Sequence, residues 1–69
     1  MSRTARPLMY APTAAQTAEF THLAGHAVFS ADEREQMLTW LGVKGTRATI
    51  PAQLVWMRGE IATRRHAGL

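Results

Sequence analysis

The stretch SADEREQMLTWLGV, residues 30–43, decides the fold. Ser30 and Glu33 stand three apart. That is the spacing of a capping box, in which each side chain satisfies the other residue's free backbone amide at a helix start. Asp32 and Glu33 bring negative charge to the positive end of the helix dipole. Met37, Leu38 and Leu41 recur at the spacing of one helical side and form the stripe expected to be buried. Gly42 is read as the terminator, in a left-handed conformation that glycine adopts readily, with Val43 folding back toward Leu38.

The same signals repeat on either side. Thr13 and Gln16 have capping-box spacing and predict a first helix over residues 14–27. On it Phe20, Leu23, Ala24 and Ala27 share one face, Ala14, Ala18, Thr21 and Gly25 form a face of small residues, and Glu19, His22 and His26 lie on the polar side. Pro7 and Pro12 interrupt any helix before it, so residues 1–12 are read as an extended N-terminal arm, pinned to the body by Leu8, Met9 and Tyr10. Downstream, residues 44–49 form a loop around Gly45. Pro51 then suits the first helical position, where its missing N–H costs nothing. The third helix is expected to reach about His66, with Arg64, Arg65 and His66 at the negative end of its dipole. Ile50, Leu54, Met57 and Ile61 fall on one side of it. The result is an all-α, three-helix domain over residues 13–69, with no strand.

Size and composition limit how that domain is stabilised. A chain of 69 residues buries only about 60% of its unfolded surface. Twelve of its apolar residues are alanine, so large core side chains are few. The absence of cysteine removes disulfides and thiolate zinc sites together. Association is the remaining route to a larger core, and a homodimer is expected. No apolar run approaches the roughly 18 residues of a membrane span, and the basic start is not followed by a continuous apolar segment. A cytoplasmic protein without a membrane role is therefore expected.

Charge is unevenly placed. Residues 1–12 hold two arginines and no acid, residues 13–43 hold four acids against one arginine, and residues 44–69 hold five cations against one acid. Basic ends around an acidic middle suit a polyanion, an acidic protein surface or self-association.

Few residues suggest chemistry. Histidines four apart, such as His22 and His26, can share a metal ion, with Glu19 one turn earlier as a third ligand. Such a site would need further side chains to hold its ligands in place, and none is visible, so no metal or cofactor is expected. The acids cluster at a helix start as dipole partners, the glycines mark turns, and no nucleophile is paired with a base. Enzymatic activity is not expected.

Helix two, Leu41-Gly42-Val43 and helix three together resemble a helix-turn-helix unit, in which a glycine of the turn precedes an apolar residue. Aligned on Gly42, the sequence departs from that family at Leu38, where alanine is preferred, and at Ala48, where a branched apolar residue is preferred. Pro51 also falls inside what would be the recognition helix. The resemblance implies a DNA-binding transcriptional regulator with a degenerate motif. Arg3 and Arg6 would then form a minor-groove arm, with Arg58, Arg64 and Arg65 on phosphates and Arg47 a further candidate nucleic-acid contact. A DNA binder should gather these arginines on one face.

Helix three carries a second clue. Val55, Gly59 and Ala62, with Ala52 beside them, form another apolar or small face, while Gln53, Glu60 and Arg64 make the polar strip. A helix apolar on two sides is normally covered on two sides. Trp56 projects near Gln53, Glu60 and Thr63, away from Ile50 and Leu54, and tryptophan is enriched at interface hot spots. The alternative is that Trp56 or Trp40 bends over to cap the small core. Trp56, Ala52, Gly59, Gln53 and Glu60 are thus the candidate partner-binding residues. The expected function is that of a small non-enzymatic binding protein, of the kind phage and plasmid accessory genes encode. It would regulate or inhibit a larger macromolecular partner.

Overall fold

A computed structural model describes residues 10–68 of the chain and shows three α-helices: α1 (Ala14–Ala24), α2 (Ala31–Lys44) and α3 (Ile50–Gly68). No strand occurs among the described residues. Arg3, Arg6, Leu8 and Met9 of the expected arm lie outside them.

Both expected caps form. The Thr13 hydroxyl accepts from the Gln16 amide at 3.0 Å, and Gln16 Oε1 accepts from the Thr13 amide at 3.0 Å. Ser30 and Glu33 make the same exchange at 3.1 and 2.8 Å. Before α3 a third pair takes this role. The Thr46 amide donates to the Thr49 hydroxyl at 2.8 Å, and the Thr49 amide donates back to the Thr46 hydroxyl at 3.1 Å. The Thr46, Thr49 and Ile50 amides are thus satisfied as the chain enters α3, and Pro51 is the second helical residue.

Two helix ends differ from expectation. α1 stops at Ala24, three residues before the expected Ala27. The chain instead winds through a tight turn: His26 N–H donates to the Leu23 carbonyl and Phe29 N–H to that of His26. The turn swings the Phe29 ring into the core, leaving it 3% exposed. α2 runs past Gly42 to Lys44 and is capped by Gly45. Gly42 and Val43 are therefore ordinary helical positions, and no described glycine has a positive φ. Gly45 serves through its small size. A Cβ there would lie 2.6 Å from the Leu41 carbonyl oxygen, closer than real Cβ atoms come.

The core comprises Phe20 and Ala24 of α1, Phe29 of the turn, Met37 of α2, and Ile50, Leu54, Met57 and Ile61 of α3. All four residues of the expected α3 stripe are buried. On α2 the stripe is Met37 with partly buried Leu41 and Trp40, whereas Leu38 is 38% exposed. Trp40 stacks on Phe20 of α1, with centroids 5.8 Å apart and planes inclined at 12°. That aromatic contact rotates α2 so that Trp40, rather than Leu38, meets the core. α1 packs against both other helices, more extensively against α3. The end of the arm is tied down through its backbone: the Tyr10 and Ala11 carbonyls accept from the Arg47 amide and Nε.

Candidate functional site: an aromatic cleft between α2 and α3

α2 and α3 do not close on each other. Between them lies an open cleft of about 280 Å³. Phe29 and Met37 contribute buried surface, Trp40 stands on the α2 side, and Trp56 and Gln53 stand on the α3 side. Trp56 stacks on Phe29 at 6.4 Å between centroids yet remains 48% exposed. The two tryptophans thus divide the roles anticipated for either one. Trp40 covers the core, and Trp56 offers an indole face to solvent.

One end of the cleft is fixed by Arg64. Its guanidinium binds both Glu33 carboxylate oxygens, at 2.9 and 2.8 Å, and donates to Glu60 at 3.1 Å and to the Val28 carbonyl at 3.1 Å. It also lies over the Phe29 ring, 5.2 Å from the centroid. Bidentate pairing of this kind sets direction as well as distance. Through one side chain, α3 is joined to the first turn of α2 and to the α1–α2 turn. The Arg64 hydrogen bonds and the Ser30 amide together hold the Glu33 carboxyl at a pKa of about 2, against an ordinary 4.5. Glu33 in turn pushes the Arg64 pKa up.

The candidate residues are only partly brought together. Trp56 and Gln53 line the cleft, and Glu60 stands beside it as a partner of Arg64. Ala52 and Gly59 are exposed on the outward side of α3, with Val55 at 67% exposure. Sequence reasoning missed Phe29, Met37 and Trp40 as members of the same site. Trp40, one turn beyond Gln36 and Met37 on the best-defined helix, was the available signal.

Among the described arginines of the expected set, Arg58 and Arg64 do not share a face. Arg58 pairs with Glu19 of α1, while Arg64 pairs with Glu33 of α2 on the opposite flank of α3. Arg47 binds the Ala11 carbonyl before α3 begins. Arg65, seven residues beyond Arg58, falls on the same side of α3 about 10 Å further along. Leu41-Gly42-Val43, which resembled a helix-turn-helix turn, lies within α2. On the other flank, His26 has left the face of Glu19 and His22, and its Nδ1 accepts from the Val28 amide at 3.1 Å. No group of three metal-ligating side chains is found among the described residues. No described helix is long and apolar enough to cross a membrane.

Comparison with protein-family models, curated proteins and solved structures finds no match for this chain.

Proposed function

We propose that this is a small cytoplasmic binding protein that regulates or inhibits a larger protein by receiving one of its bulky apolar side chains in the Trp40–Trp56 cleft. The observation that carries this reading is the half-exposed indole of Trp56, held in place by Phe29 beneath it. A preformed aromatic anchor of this kind binds with little loss of side-chain entropy. The cleft is open along its length and has a volume of about 280 Å³. It suits a side chain presented by a partner. The outward face of α3, with Val55, Gly59 and Ala52 exposed, supports self-association as a homodimer on the adjoining side.

The test is capture of partners from the native host's lysate on immobilised protein, with and without nuclease. The expected result is a protein retained equally under both conditions. Retention that disappears with nuclease would favour the DNA-binding regulator instead. In that case binding should also weaken steeply with salt, as phosphate contacts release counterions.

A further inference from the structure

The aromatic cleft continues onto the outer face of α2. Gln36 lines both the cleft and a shallow hollow of about 350 Å³ that it forms with Asp32, Glu35 and Thr39. Asp32 and Glu35 are exposed, and neither takes part in an ion pair among the described residues. Arg64, the cation in the cleft wall, is already flanked by the carboxylates of Glu33 and Glu60. Arg34 of α2 turns the other way and donates to the Ala24 carbonyl at 3.3 Å. From cleft to hollow, four carboxylates therefore face one guanidinium, within a chain whose net charge is +3. The negative shoulder is local, and it adjoins the apolar anchor site.

We propose that the occupant of the cleft is a cationic peptide segment of another protein: a bulky aliphatic residue seated between Trp40 and Trp56, with lysine or arginine reaching Asp32 and Glu35. This rests on the reading of the cleft as a binding site. Asp32, Gln36 and Trp40 follow one another at four-residue intervals, about 6 Å apart along α2. A cation one or two helical turns from the anchor matches that separation, in the manner of an amphipathic helix laid in a groove. The apolar contact supplies the affinity, and the two exposed carboxylates select the sign of the flanking charge.

The protein has two tryptophans, and both line the cleft. Peptides without aromatic residues can therefore be titrated against indole fluorescence and the two indole N–H resonances. Three probes suffice: a leucine flanked by arginines, the same peptide with glutamines for arginines, and the same with glutamates. The arginine peptide should shift both indole signals saturably. The glutamine peptide should bind roughly fivefold more weakly, as loss of two exposed ion pairs implies, and the glutamate peptide more weakly still. In the double variant Asp32→Asn, Glu35→Gln, the arginine peptide should fall to the affinity of the glutamine peptide, whose own binding should not change. Melting of that variant controls for the place of Asp32 in the first turn of α2. Equal binding of arginine and glutamine peptides, with both indoles responding, would overturn the charge preference and leave the cleft intact as a binding site. If no peptide disturbs either indole, the cleft reading falls as well. A dimer in which the Trp56 indole is already buried would make a second copy the occupant and refute the proposal.

Discussion

The two flanks of α3 are built differently. Toward α1 the helix presents Ile50, Leu54, Met57 and Ile61 to Phe20 and Ala24, and this side is closed and largely apolar, with the exposed Arg58–Glu19 pair at its edge. Toward α2 contact is made through Met37, an aromatic cluster and the Arg64–Glu33 pair, and a cleft remains open. A closed flank uses its side chains for folding. An open flank keeps apolar surface in water, which a 69-residue chain with a small core can sustain only on a limited patch. The adjacent residues Trp56 and Met57 show the division. Met57 is fully buried, whereas its neighbour is half exposed.

Substitutions at those neighbours should separate the flanks most strongly. Met57→Ala is expected to cost about 2–5 kcal/mol by opening a cavity in the closed side. Trp56→Ala, at a half-exposed site, should cost roughly half of the 3–5 kcal/mol typical of a buried tryptophan. Denaturant unfolding of both variants gives the ratio directly. Equal losses would erase the distinction between the flanks.

Glycines at the end of α2 sharpen it further. Gly45→Ala should destabilise by about 1–3 kcal/mol, because the new Cβ meets the Leu41 carbonyl. Gly42→Ala should have the opposite sign, stabilising by up to about 1 kcal/mol, since its Cβ would meet nothing within 4 Å. Thermal melts of the pair decide where α2 ends. At the other end of α2, Ser30→Ala should lose a cap worth about 1 kcal/mol.

Acid should weaken the open flank. The Glu33 carboxyl has its pKa lowered from 4.5 to about 2 in the folded chain. The unfolded state therefore takes up protons before the folded one does, and stability falls with pH between about 4.5 and 2. Arg64→Gln should flatten that dependence. A melting temperature equally sensitive to acid in the variant would place the titration elsewhere.

Much of this was legible in the sequence, and the remainder has physical reasons. The Thr13–Gln16 and Ser30–Glu33 caps and the α3 stripe are local patterns, each contained within one element. The choice between Gly42 and Gly45 was not, since it depends on how closely Gly45 approaches Leu41. Leu38 and Trp40 both border the Met37–Leu41 stripe, and only stacking on Phe20 of α1 selects Trp40. Arg64 looked like an exposed arginine because its partner Glu33 is 31 residues away. The cleft combines residues from α2, α3 and the α1–α2 turn, so no one helix revealed it. The Thr46–Thr49 pair just ahead of Pro51 was readable, and was missed.

In the function proposed for the cleft, Trp56 serves binding more than folding. The most direct test of this claim is partner capture by Trp56→Ala, made on protein that still unfolds cooperatively with helical circular dichroism like the parent's. The expected result is a folded variant that no longer retains the captured protein. Full retention by the folded variant would contradict the claim, as would a variant that does not fold.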